Sequence, residues 1–182
     1  MKFKPYSLDA KNNSDEHHNI LNYMMIKTKL GYYGLVLKGD ELVASYLPKK
    51  DYMDLQYQIS NDFRNYFLVQ KKSDEPIAQK IVDYFKGINV DFSDIVIDPI
   101  GSDFEKSVWR ACAMIPYSEV RSYSWIAEKI GNPKSSRAVG NALNKNPLPI
   151  IVPCHRVVGS NGIGGFAGGI ELKRKLLEIE LH

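Results

Sequence analysis

The chain has 182 residues, enough for one large domain or two small ones, with 44% hydrophobic and 25% charged residues, as in ordinary globular proteins. No apolar run reaches membrane-spanning length, the first residues M-K-F-K-P-Y-S-L-D-A lack a signal-peptide core, and two cysteines, Cys112 and Cys154, are too few for a disulfide framework. These observations predict a cytoplasmic or otherwise intracellular protein with no membrane partner and reduced thiols. The net charge of +3 is uneven: 13 basic and 14 acidic residues run up to Asp98, and 11 and 7 follow, so the C-terminal half permits a polyanion partner without demanding one.

The stretch from about Asn19 to Leu47 has the pattern of a three-stranded antiparallel meander. Tyr23 to Lys29, Tyr33 to Leu37 and Leu42 to Leu47 are the strands, and Lys38-Gly39-Asp40-Glu41 is a tight polar turn. His17 and His18 have no cysteine near them in sequence and are expected to be solvated tail residues rather than metal ligands. From Asp74 the pattern becomes helical: Pro76 suits the start, Gly87 the end, and Ile77, Ile81, Tyr84 and Phe85 form one apolar stripe. Ile95 to Ile97 adds a short strand. We place a domain boundary near Asp98, giving an α/β support domain over 1–98, antiparallel sheet plus helix, and a mainly helical domain over 99–182.

Ser102 followed by Glu105 is a capping box, and Phe104, Val108, Ala111 and Ile115 then mark a helical face beside Trp109. Cys112 lies in the same helix and is expected to be packed and inert. Tyr123 to Ile130 predicts a short helix closed by Gly131, and Asn132 with Pro133 predicts the start of the next. That spacing is a helix-turn-helix. Ala138, Val139, Ala142 and Leu143 are expected to face inward, leaving Arg137, Gly140, Asn141 and Asn144 on the exposed face. A single arginine above glycine and asparagines is an unusual solvated face, and Gly140 costs about 1 kcal/mol of helix propensity. Close approach of a partner would explain it; tight packing on another helix is the alternative.

Residues 146–158 read N-P-L-P-I-I-V-P-C-H-R-V-V. Ile150 to Val152 predicts a short buried strand, and Pro153, which cannot donate to a ladder, must end it. Cys154 then stands where a buried strand breaks open, beside a histidine and an arginine that could each lower a thiol's pKa. In a straight strand His155 would face away from Cys154, so cooperation needs a kink at Pro153. The plainer reading of such a cysteine is a small buried hydrophobe. Beyond it, Gly159 to Gly169 is glycine-rich around one aromatic, Phe166, suited to packing on a purine. Ile170 to Glu180 predicts an amphipathic helix with Leu172, Leu176 and Ile179 on its stripe. Glu180 lies beside that stripe and needs a partner.

The P-C-H-R-V run from Pro153 to Val157, with its surroundings from about Ile100 to Glu180, resembles the O6-alkylguanine-DNA alkyltransferases. The resemblance implies a ribonuclease-H-like N-terminal domain and a winged-helix-like C-terminal one. It implies a monomer that acts on double-stranded DNA containing O6-alkylguanine, flips the base, and moves the alkyl group irreversibly to Cys154 without cofactor or metal; the cysteine ligands of the zinc site some relatives carry are absent. Implied catalytic residues are Cys154, His155 as base, Glu180 as its orienter, and Asn146 as the hinge from the recognition helix. The R-A-V-G motif implies minor-groove contact by Ser135, Ser136, Arg137, Ala138, Gly140 and Asn141, with Arg137 replacing the flipped nucleotide. Tyr123 would turn the 3′ phosphate and supply a proton to the base. A base pocket of Tyr123, Leu143, Pro149, Val157, Phe166 and Ala167 follows, with the carbonyls of Cys154 and Val157 reading the guanine amino group. The family often has tyrosine at Phe166 and serine at Ala167, so one or two hydroxyl contacts are missing here. A non-catalytic lesion-binding relative and a helix-turn-helix regulator with a structural or redox cysteine are the alternatives.

Overall fold

A computed structural model of the chain describes residues 2–3, 19–97 and 99–181. His17 and His18, and Asp98 at the boundary we placed, lie outside them. The meander forms as expected from β2 (Ile20–Thr28), β3 (Gly31–Lys38) and β4 (Glu41–Lys49), after a short β1 (Lys2–Phe3). The sheet as a whole is mixed rather than antiparallel. It has six strands in the order β1-β6-β4-β3-β2-β5, with β5 (Phe67–Gln70) parallel to β2, β6 (Val96–Ile97) parallel to β4, and β1 parallel to β6. The parallel additions need crossovers, which α1 (Tyr52–Asp62) and α2 (Pro76–Phe85) provide on opposite faces.

Strand alternation explains why both faces are covered. In β2, Leu21, Tyr23 and Met25 pack towards Leu55 and Ile59 of α1, whereas Met24 and Ile26 pack towards Ala78, Ile81 and Tyr84 of α2. The sequence reading passed over α1, although Asp51 caps it by accepting from the N–H groups of Met53 and Asp54, and Leu55 and Ile59 stand at i, i+4. Only those two of its residues are buried, so its apolar stripe is too thin to stand out.

The C-terminal half contains α3 (Asp103–Ala113), β7 (Arg121–Ser122), α4 (Tyr123–Lys129), α5 (Ser136–Asn144), β8 (Val157–Val158) and α6 (Ile170–Ile179), with β7 and β8 paired in parallel. The capping box forms, with reciprocal bonds between Ser102 and Glu105. Trp109 is core and donates its indole N–H to the Ala142 carbonyl at 2.9 Å, pinning α3 to α5. Two expectations change here. The second helix begins at Ser136, because the Asn132 carbonyl accepts both the Ser135 N–H and hydroxyl and closes a turn over Pro133 first. Ala138 is exposed on the outer face rather than turned inward. One core runs from the α2 face of the sheet through Val108, Trp109, Val139 and Ile151 to Leu176, so the halves are packed as one body. No helix among the described residues is long and apolar enough to cross a membrane.

Candidate active site

The expected strand at Ile150–Val152 is a tight buried turn. Three prolines in seven residues remove the donors a ladder needs, and Ile150 takes φ 77°, a genuine outlier for a β-branched residue. The surroundings hold it there. Val152 N–H donates to the Leu148 carbonyl at 2.8 Å, and Asn146 clamps both ends, accepting from Leu148 N–H and donating Nδ2–H to the Val152 carbonyl at 2.8 Å. The sheet supplies the rest: Tyr33 and Ser45 both donate hydroxyls to the Pro149 carbonyl, at 2.7 and 3.0 Å, and Ser45 N–H donates to Pro147. A 3₁₀ turn follows at once over Cys154–Arg156. It steps about 120° per residue rather than the strand's half-turn, the kink that cooperation between Cys154 and His155 requires.

Asn146 Nδ2 also lies 3.1 Å from Cys154 Sγ, so the residue expected as a hinge touches the thiol directly. Burial raises the Cys154 pKa, with Asn146 and the charge of Lys173 acting against it. The resting group is therefore a thiol, contrary to the expectation of a neighbour-lowered pKa. Arg156 is not the cation that faces it. The Arg156 guanidinium is spent on Glu180, through Nε at 2.9 Å and Nη2 at 3.0 Å, and on the Ile115 carbonyl. His155 Nε2 meets Glu180 Oε1 at 2.6 Å, both side chains fully buried. Burial holds His155 below its ordinary pKa despite the carboxylate. Burial works against ionisation of Glu180, but the bonds from His155 and Arg156 prevail and hold it at about 2. The resting pair is neutral imidazole beside carboxylate. His155 Nδ1 is buried with no hydrogen-bond partner among the described residues.

Lys173 and Tyr84 were missed. Lys173 is fully buried with no carboxylate partner among the described residues; its Nζ donates to the carbonyls of Val157 at 2.5 Å and Gly165 at 3.1 Å, and burial lowers its pKa to about 8. Its place three residues before Leu176, on the apolar stripe, was the available signal. Tyr84 was read as core, which it is, but its hydroxyl also reaches Glu180 Oε1 at 2.8 Å. Cys112 is fully buried and burial pushes its thiol up, so it is inert.

The outer face of α5 is as expected. Arg137, Asn141 and Asn144 are exposed, and with Tyr123, Ser136, Gly140 and Gly165 they line a shallow cavity of about 330 Å³. Arg137 has no hydrogen bond or ion pair among the described residues. Ser135 is half-buried at the cap of this helix. A β-carbon on Gly140 would meet the Tyr123 ring no closer than 3.7 Å, an ordinary contact, so tight packing does not explain the glycine. Gly164 is the opposite case. Its φ is 71° and a β-carbon would stand 3.0 Å from the Tyr123 ring and hydroxyl, while Tyr123 donates to the Gly165 carbonyl at 3.3 Å. The glycine-rich loop thus lets the tyrosine lie against backbone.

Of the residues expected around a base, Leu143 and Val157 are core, and the Val157 carbonyl accepts from Lys173. Phe166 is half-buried, and exposed Ala167 joins Asn146 and buried Pro149 on the wall of a cavity of about 510 Å³ shared with Tyr46 and Leu47 of β4. Among the described residues no group of three or more His, Cys, Asp or Glu could hold a metal ion.

A family model described as 6-O-methylguanine DNA methyltransferase, DNA binding domain, matches residues 103–182. The methylated-DNA–protein-cysteine methyltransferase of Methanosarcina mazei is 41% identical over 160 residues, 87% of this chain and 96% of that protein. Its namesake from Methanosarcina acetivorans is 51% identical over 104 residues, 57% of this chain and 66% of that protein. The crystal structure of Mycobacterium tuberculosis O6-methylguanine methyltransferase superposes with a TM-score of 0.72 at 36% identity, covering 88% of this chain and 92% of that one, and a structure of the M. tuberculosis protein in complex with DNA matches equally well, at 0.72 and 36% over 87% and 92%.

Proposed function

The chain belongs to the methylated-DNA–protein-cysteine methyltransferase family, and from that premise we propose that it repairs DNA by moving an alkyl group from the O6 of guanine onto its own Cys154. The observation that carries this is the buried contact of His155 with Glu180, at 2.6 Å, placed one residue from the Cys154 thiol. A nucleophile, a base and a group that orients the base make a triad.

The steps follow from the resting protonation states. His155 takes the Cys154 proton at Nδ1 through a bridging water, and Glu180 stabilises the imidazolium. Asn146 and the charge of Lys173 hold the thiolate as it forms. Sulfur attacks the alkyl carbon, the carbon–oxygen bond breaks, and the electron pair stays with guanine. Guanine regains a proton from Tyr123, and the proton held by His155 passes back through water to restore Tyr123, so the balance is thiol plus O6-alkylguanine giving thioether plus guanine. No cofactor enters that balance. Hydrolysis does not reverse a thioether, so each molecule acts once. Because the oxygen lies inside the duplex, the base must be flipped out. Helix α5 enters the minor groove, its close approach favoured by Ser136, exposed Ala138, Gly140 and Asn141, and Arg137 fills the gap. Ser135 at the helix cap lies next to this surface.

The same reading takes residues 1–98 as the support domain, ribonuclease-H-like, and 99–182 as the acting domain, with the β7/β8 pair as the wing; the protein would work as an intracellular monomer. Intact-protein mass after incubation with a duplex carrying O6-methylguanine is the test. We expect a stable gain of one methyl group, mapped to Cys154. DNA binding without any gain would favour the lesion-binding alternative.

A further inference from the structure

Tyr84 lies on α2, in the half of the chain that carries none of the reacting groups, yet it meets the triad. It is fully buried, and its ring is fixed edge-on against Phe85, Tyr117 and His155, with centroids 5.4, 6.4 and 6.3 Å away. Burial and the neighbouring Glu180 push its own pKa well above 10, so it keeps its proton. That single proton has two neighbours, Glu180 Oε1 at 2.8 Å and His155 Nε2 at 3.1 Å, and the latter two are themselves 2.6 Å apart. An ionised carboxylate only accepts. The tyrosine proton therefore goes to Oε1, and Nε2 must carry hydrogen, because a bare Nε2 would set lone pair against carboxylate at that distance.

We propose that Tyr84 is a positioning residue of the transfer reaction: by donating to Glu180 Oε1 with its oxygen lone pair turned to His155 Nε2–H, it joins Glu180 in holding His155 in the tautomer whose free lone pair, on Nδ1, takes the thiol proton. The proposal rests on Cys154 being the nucleophile. It gives the N-terminal half a part in the chemistry. It also divides the charge of Glu180, which accepts from Tyr84, from Arg156 at both oxygens, and from Ser118 N–H as well as from His155. Each added donor weakens the carboxylate's pull on the imidazole. The groups facing His155 are Tyr84 from α2, Glu180 at the end of α6, Lys173 within α6, Arg156 and Cys154 beside it in the chain. Tyr117 packs on Tyr84, but its hydroxyl goes to the carbonyls of Gly87 and Ile179.

Removing the phenol oxygen has two opposed effects. Glu180 loses a donor, which favours imidazolium, and Nε2–H loses an acceptor, which disfavours it. The bond to the carboxylate is the shorter, 2.8 against 3.1 Å, and the Nε2 hydrogen is already aimed at Oε1 only 2.6 Å away, so the first effect wins. In full-length protein with ¹⁵N-labelled histidine, long-range ¹H–¹⁵N correlation should show wild-type His155 protonated on Nε2 and bare on Nδ1 at neutral pH. Tyr84→Phe fills the same space and should raise the His155 midpoint by about half a pH unit or more. The acid limb of the single-turnover rate at saturating duplex should move up equally. A wild-type proton on Nδ1 overturns the proposal without any variant being needed, as does an unmoved midpoint in Tyr84→Phe. If wild type gains no mass on Cys154, the transfer reading fails instead, and the tautomer measurement stands apart from it.

Discussion

At the scale of single residues, the thiol and its base are both neutral at rest, and this sets how the nucleophile is made. Cys154 is 7% exposed and its pKa is raised by burial, so a standing thiolate is not stored; in the proposed mechanism it is generated as His155 accepts the proton. Cys154→Ala should therefore abolish transfer while DNA binding persists, measured by intact mass and by a gel-shift titration. Cys112→Ala should leave the single-turnover rate within about threefold of wild type, because that thiol is sealed in the core and changing one small buried group costs stability rather than chemistry. Total loss of transfer in Cys112→Ala would identify the wrong nucleophile. The orientation of His155 relative to Cys154 was legible only as a condition, that Pro153 kink the chain. The 3₁₀ turn meets it.

At the scale of elements, α5 separates what helps the fold from what serves a partner. A β-carbon at Gly140 meets only ordinary contacts, so Gly140→Ala should stabilise the protein by up to about 1 kcal/mol, the helix-propensity difference. The same methyl stands on the face between Arg137 and Asn144 and should weaken DNA binding. Thermal melting and a binding titration read the two effects, and a variant that melts lower would return Gly140 to a packing role. Arg137 tests base extrusion. Arg137→Ala should slow single-turnover transfer from saturating duplex at least about tenfold, ~1.4 kcal/mol. The rate with free O6-benzylguanine, which leaves no stack, should change far less. Equal loss on both would tie Arg137 to the fold instead.

At the scale of the whole molecule, the buried cluster of Tyr84, His155, Arg156 and Glu180 links the last turn of the chain to the sheet domain. Its stability should depend on pH in a definite sense. Glu180 is held at about 2, below the unfolded value of about 4.3, so its contribution is complete above about pH 4.3 and is lost as pH falls towards 2. His155 is held below the usual imidazole value by burial, so its contribution is complete above about pH 6.5 and is lost as pH falls further. Both act in one direction, and the melting temperature should decline on acidification from about pH 6.5. In Glu180→Gln the part of that decline below about pH 4.3 should shrink; an unchanged profile there would mean the carboxylate is not the titrating group.

The sequence by itself determined the elements whose signals are local. The meander, the Ser102–Glu105 capping box, the α2 and α6 stripes and the exposed face of α5 all follow from periodicity and capping between near neighbours. It also determined the family, through a run of residues around Cys154, and paired His155 with Glu180 across 25 residues through that resemblance. Tertiary structure decided the rest. The turn at Ile150 depends on Tyr33 and Ser45, more than 100 residues earlier, filling the Pro149 carbonyl; a β-branched triplet alone reads as a strand because propensity carries no information about who satisfies its backbone. Lys173 drew no reading from its own segment, because the two carbonyls that receive its ammonium belong to other segments. Tyr84 looked like core because hydrophobic pattern records burial and not the direction of one hydroxyl. Where a group's role is set by its partner's position in space, the pattern of its own segment cannot contain it.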